Sequence, residues 1–146
     1  MSALFHSYLC GRNAAEWLIQ MKRELGIGCC GLACCLCAKE GCSGCKKDGC
    51  PDAAWCKSLK CSREKGYDGC WVCEHFPCAD NPMLAKLKPR AFAAFVRQYG
   101  IEKLMDCLAR NEALGVVYHE PDTIIGDYDR CQDEAAIFEL LLNGPQ

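Results

Sequence analysis

Cys29-Cys30-Gly31-Leu32-Ala33-Cys34-Cys35-Leu36-Cys37 opens a fifty-residue stretch, ending at Cys78, that holds thirteen of the chain's sixteen cysteines and one histidine, His75. Such a density of thiols points to sulfur ligation, because thiolate is a soft ligand that suits Zn²⁺ and the irons of iron–sulfur clusters. Between Gly28 and Cys78 the apolar residues follow neither the helical nor the strand period, and glycine recurs at positions 31, 41, 44, 49, 66 and 69. The pattern predicts irregular loops and short turns pinned by metal rather than by a hydrophobic stripe.

Outward from that stretch the character changes. On the N-terminal side, Asn13-Ala14-Ala15-Glu16 has the form of a capping box, and Trp17, Leu18, Met21 and Leu25 follow at helical spacing until Gly26 and Gly28. On the C-terminal side, Pro89 suits the first turn of a helix whose face carries Phe92, Phe95, Val96 and Tyr99, with Gly100 as punctuation. Ile101, Leu104, Met105 and Leu108 continue the stripe as a second helix, which Gly115 caps. Val116-Val117-Tyr118 reads as a short extended piece and 122–129 as a polar loop. Asp129, three residues before Gln132, offers a cap for a last helix over about 131–142. The expected fold is mostly α with irregular loops: a metal-stapled, cysteine-rich loop region packed on a small helical bundle. It forms a single domain over 1–146, divided into an N-terminal helix (1–28), the cysteine-rich metal-binding region (29–80) and a helical region (81–146).

Composition narrows the class. A chain of 146 residues, half apolar and a quarter charged, is globular, but its cysteine content lies at the level where cross-links carry stability. Disulfides are the rival explanation for an even count of sixteen. The start, Met1 to Cys10, has no basic region and its apolar run is broken by His6 and Ser7, so it does not read as an export signal. No run of about 20 apolar residues suits a membrane span. The expectation is a cytoplasmic, membrane-free protein whose thiols hold metal.

The spacings nominate the ligands. Cys30-x3-Cys34-x2-Cys37 matches the triad that radical S-adenosylmethionine enzymes place on a cluster, but the chain is too short for the barrel those enzymes need. Cys42-x2-Cys45 and Cys70-x2-Cys73 can each wrap one metal in a knuckle, and Cys50, Cys56-x4-Cys61 and Cys78 add further thiols. Vicinal side chains diverge, so Cys29 and Cys35 are set aside. Eleven candidates remain: Cys30, Cys34, Cys37, Cys42, Cys45, Cys50, Cys56, Cys61, Cys70, Cys73 and Cys78. Eleven thiols fill two four-ligand sites and fall short of three. Irregular gaps and the apolar run 31–37 favour two [4Fe–4S] clusters over zinc, since such wrapping shields a cluster from water. His75 between Glu74 and Phe76 reads as a surface residue before it reads as a ligand.

Together, Cys30-Gly31-Leu32, Cys34-x2-Cys37, Cys42-x-Gly44-Cys45, Cys56-x4-Cys61-x-Arg63-Glu64-Lys65-Gly66, Cys70-x2-Cys73 and Phe76-Pro77-Cys78 resemble the cysteine-rich bacterial and archaeal family called domain of unknown function 3795. Gly115-Val116-Val117-Tyr118-His119 and Gly126-Asp127-Tyr128-Asp129 are similar to a subgroup of it. The resemblance implies a small metal-binding protein, common in anaerobes, with no established reaction. The extra thiols Cys29 and Cys35 and the N-terminal extension depart from the family pattern.

Charge and the C-terminal loops define the remaining alternatives. Residues 39–65 carry seven basic against four acidic residues, while 111–146 carry eight acids against Arg130 alone. The basic stretch, with Trp55, Tyr67 and Trp71 as stacking platforms, would suit nucleic acid. Lysines that offset the negative charge of thiolate-bound metal are the simpler account. His119, Asp127 and Asp129 could form a mononuclear or acid–base site, although acidic loops with tyrosines are usually surface or caps. Cys10, Cys107 and Cys131 read as packing residues. The leading expectation is therefore electron transfer or redox sensing with a redox partner. A structural zinc module that binds a protein partner comes second, and a metalloenzyme acting through His119 and Asp127 comes third.

Overall fold

The computed structural model of the protein describes residue 21 and residues 23–36, 56–78, 81–120 and 125–145. Four α-helices stand among them: α1 (Lys57–Lys65), α2 (Leu87–Tyr99), α3 (Ile101–Ala113) and α4 (Glu134–Asn143). Short 3₁₀ turns at Arg23–Leu25, Cys34–Leu36, Cys70–Val72, Pro82–Ala85 and Tyr128–Arg130 join them, and the described residues contain no strand.

The central helix is α2. Ala91, Phe92, Ala93, Phe95 and Val96 are all buried, so most of its circumference is covered. Gly100 makes a one-residue corner into α3, which buries Leu104, Met105, Cys107 and Leu108. Ile137 and Leu141 of α4 close the same core. Each fully buried aliphatic or aromatic side chain here contributes about 1.5–3 kcal/mol. Two polar groups join the helices. Asn111, wholly buried on α3, donates to Tyr128 Oη at 3.0 Å and to the Leu140 carbonyl at 2.9 Å. Arg90 of α2 pairs with Glu134 of α4 at 3.1 Å.

The cysteine loops rest on the opposite side of α2. Ile27, Ala33, Leu36 and Trp71 belong to the same apolar cluster as Phe92 and Phe95. Gly31 explains how closely the loop approaches. Its φ is +98°, and a Cβ there would lie 2.5 Å from the Pro89 carbonyl oxygen and 2.7 Å from the Ala93 nitrogen, so only glycine fits.

The helical architecture agrees with the sequence expectation, with several local differences. The predicted N-terminal helix lies mainly outside the described residues, and its last part, Arg23–Leu25, is a 3₁₀ turn. The stretch expected to hold only short turns contains α1. Its buried residues are Ser58, Leu59 and Ser62, so small hydroxyls occupy the inner face where an apolar stripe would have signalled a helix. Its N-cap is a cysteine: Cys56 Sγ accepts from Leu59 N at 3.4 Å. The last helix starts at Glu134 and is capped by Asp133, whose carboxylate accepts from Ala136 N at 2.9 Å. Asp129, the expected cap, instead pairs with Lys88 Nζ at 2.7 Å. Residues 116–118 form no strand; Asp127 holds them as a loop through its own amide to the Val117 carbonyl and its carboxylate to Val117 N.

Candidate metal centre

Seven of the eleven candidate ligands, Cys30, Cys34, Cys56, Cys61, Cys70, Cys73 and Cys78, are described, and none of the seven forms a disulfide. Cys37, Cys42, Cys45 and Cys50 lie outside the described residues. The seven fall into two neighbourhoods.

The first is built on α1. Along this helix Lys57, Cys61, Ser62 and Lys65 share one face, and they line a cavity of about 130 Å³. Cys70 and Cys73, from the 3₁₀ turn Cys70–Val72 and its end, complete one wall, and Cys78 reaches it from the following segment. Phe76 and Leu84 supply apolar cover. Cys56, at the cap of α1, stands close enough to Cys70 for the two thiols to interact electrostatically, as do Cys61 and Cys73. Burial is the main force holding the Cys70 thiol above its ordinary range; the neighbouring thiols push it further and a hydrogen bond with Ser58 offsets part of the rise. Several thiolates crowded in a half-buried site repel one another, and a cation among them reverses that cost.

The knuckle Cys70–Cys73 is held from α2. Trp71 turns into the core while Val72 points outward, 49% exposed. The Arg97 guanidinium donates to the carbonyls of Trp71 at 3.1 Å and Cys73 at 2.8 Å, and its charge lies 5.6 Å from the centre of the Phe76 ring. Cys73 Sγ accepts from the His75 amide at 3.4 Å, a contact that turns the backbone around the sulfur. The His75 side chain is 74% exposed, and its imidazole is 3.7 Å from Glu74 Oε1.

The second neighbourhood surrounds Tyr118. Its hydroxyl accepts from Ala33 N at 2.9 Å, and Cys30, Cys34 and Cys35 all lie near enough to act on its charge. Burial raises the Tyr118 hydroxyl pKa well above its ordinary value, so the phenol stays neutral. Lys88, itself buried, lies 4.2 Å from the Tyr118 ring centre and pairs with Asp129, which ties this loop to α2. Cys35 is 1% exposed and burial pushes its pKa up to about 12, the behaviour of a packing residue. Cys29, set aside on the vicinal-pair argument, sits between the two neighbourhoods. It packs with Leu59 and Cys56, and its carbonyl accepts from Cys70 N at 2.8 Å.

Among the described residues, no three His, Cys, Asp or Glu side chains are placed together so that they could hold a metal ion. The donor set nevertheless fits a thiophilic metal. Thiols from three chain segments share one cavity with apolar cover, two lysines stand at its wall, and a buried hydroxyl there, Ser62 Oγ, has no hydrogen-bond partner.

The other expected sites fare differently. Asp127 is engaged with Val117 N and Arg130, and Asp129 with Lys88 and Gly126 N, so both carboxylates hold the loop together. Of the aromatics suggested as stacking platforms, Trp71 is core, Tyr67 lies at the cavity wall, and Trp55 is outside the described residues. Cys107 is buried on α3 and Cys131 is half-buried, with burial raising both thiols, as packing residues do; Cys10 is outside the described residues. Among the described residues no helix is long and apolar enough to cross a membrane. Sequence reasoning missed Ser58, Ser62, Asn81 and Arg97, whose roles depend on contacts between distant segments. The one local sign was Ser58 and Ser62, four residues apart on the face that carries Cys61. In comparisons with known proteins, no family model, no curated protein and no solved structure matches the chain.

Proposed function

We propose that the protein holds two cysteine-ligated metal centres, [4Fe–4S] clusters before zinc, and that it serves electron transfer or redox sensing. The observation that carries this reading is the cavity lined by Cys61, Cys70, Cys73 and Cys78, with Cys56 beside it and Phe76 and Leu84 as cover. Four thiolates complete the ligand set of a four-iron cluster, and apolar cover with limited water is what tunes such a cluster for one-electron chemistry. Lys57 and Lys65 stand where they offset the negative charge of the loaded site. Cys30 and Cys34, with partners from residues 37–50, would supply the second centre. The motif likeness to the metal-binding family of unknown function points the same way.

A structural zinc module that binds a protein partner is the second reading, favoured by the backbone amide that reaches Cys73 Sγ from His75, a contact suited to a zinc knuckle. A metalloenzyme acting through His119 and Asp127 has no comparable support.

Protein purified without oxygen is expected to be brown, to absorb near 400 nm and to contain acid-labile sulfide, with about eight irons per chain for two clusters. A colourless protein with about two zinc atoms and no sulfide establishes the second reading instead. A chain that carries neither metal sinks both.

A further inference from the structure

Behind the sulfurs lies a set of hydrogen-bond donors, and one of them lacks an acceptor. Asn81 Oδ1 accepts from Met83 N at 3.1 Å, capping the turn Pro82–Ala85, and this fixes which way the amide faces. Its Nδ2 then donates to Ser58 Oγ at 2.8 Å and lies 3.7 Å from Cys70 Sγ. Ser58 is wholly buried, Asn81 is 4% exposed, and the Ser58 hydroxyl stands near enough to the Cys70 sulfur to offset part of the rise that burial gives its pKa. The Asn81 amide is thus a buried donor directed at the Cys70 sulfur. One turn further along α1, Ser62 is 2% exposed and lines the cavity beside Cys61 and Cys70, and its Oγ has no partner. A serine inside a helix usually spends its hydroxyl on the carbonyl four residues back or on water. A buried hydroxyl that bonds neither that carbonyl nor any other protein group carries a desolvation cost that an arriving acceptor would offset.

We infer that Ser62 is a positioning and tuning residue whose hydroxyl donates to a sulfur of the loaded centre, as the Asn81 amide does to Cys70. The inference rests on the metal-binding reading above. It adds that the strength of metal binding, and the potential of an iron centre, are set partly by a side chain that is not a ligand. Donation to a sulfur withdraws charge from it, which favours the reduced state of a cluster and holds the thiolate form in either metal's site.

The test uses the full chain, as purified, in three forms: wild type, Ser62→Ala and Ser62→Thr. Ser62→Ala is expected to bind its metal about 10–100-fold more weakly in competition with a chelator. If iron is present, its midpoint potential is expected to fall by about 59 mV, a tenfold change in the one-electron equilibrium. Ser62→Thr, which keeps the hydroxyl, should stay near wild type in both. The metal-free forms add a sign that ordinary packing would not give. Losing an unpartnered buried hydroxyl in a helix should raise the melting temperature of metal-depleted Ser62→Ala while its hold on metal falls. Wild type that carries metal, with Ser62→Ala binding it equally tightly or Ser62→Thr as weak as Ser62→Ala, overturns this inference alone. Wild type that carries no metal overturns the metal-binding reading, and this inference with it.

Discussion

The two sides of α2 are held together by different means. Towards α3 and α4 it meets a continuous apolar core, with Phe92, Leu104, Leu108, Ile137 and Leu141 at 0% exposure. Towards the cysteines the same core continues only through Ile27, Ala33, Leu36 and Trp71, and separate contacts are added to it: Gly31 against Pro89 and Ala93, Arg97 on two carbonyls, and Lys88 beside Tyr118. The first side is secured by area removed from water, which changes gradually as side chains change. The second has less such area and relies more on a few fixed points, each of which can fail alone. A region with less apolar area of its own would gain most from the metal cross-links proposed for its thiols.

The largest test strikes the shared helix. Phe92→Ala should cost about 3–5 kcal/mol, because the ring is fully buried and packs against Tyr118 and Tyr128 at 6.0 and 5.1 Å. Denaturant unfolding gives the size, and hydrogen exchange should show both sides losing protection. A loss confined to residues 101–143 would mean that the cysteine loops do not depend on α2. Next comes Gly31→Ala, for which backbone strain alone contributes about 1–3 kcal/mol before the clash with α2 is counted. Exchange should rise over residues 26–36 while α3 and α4 keep their protection.

Arg97→Ala is smaller and local. Each of its two carbonyl bonds is worth about 0.5–1.5 kcal/mol, and the change should appear as faster proteolysis near residues 70–76 with little shift in global unfolding. A matching fall in global stability would contradict the picture of separate fixed points. The smallest effect concerns Glu112 on α3. Burial holds its carboxyl above the ordinary range, an effect that the Met21 amide at 3.2 Å partly offsets. The folded protein therefore keeps this proton more tightly than the unfolded chain does. Stability from this group is present at low pH and declines as pH rises from about 4.5 through the raised value. Glu112→Gln should flatten that decline and slightly raise the melting temperature at pH 7, with no change at pH 4, as thermal scans at several pH values would show.

The apolar side was legible in the sequence because its physics is periodic. Phe92, Phe95 and Val96 mark α2, Leu104 and Leu108 mark α3, and Gly100 and Gly115 mark their ends. Capping was less legible, since Asp129 and Asp133 both suit an N-cap and only the buried Lys88 decides that Asp129 is used elsewhere. α1 was hidden because its buried face carries serines and its cap is a thiol. The thiols could be read as a set, but not their grouping. That Cys56, Cys61, Cys70 and Cys73 interact follows from how α1 sits beside the Cys70–Val72 turn, a long-range placement that no spacing encodes. Trp71 shows the same limit: beside lysines it suggests a stacking platform, yet Arg97 and the core hold it inward.

Cys56 gives α1 an unusual dependence. Its sulfur closes the helix's first turn by accepting from Leu59 N, and it is also a candidate ligand. If the proposed metal draws on this sulfur, it would compete with the turn for the same lone pairs, and the start of α1 would become a gauge of occupancy. Loading the site would then unwind, and stripping it rewind, the amides of residues 57–59, giving any partner that touches this end of the helix a way to sense the metal without contacting it.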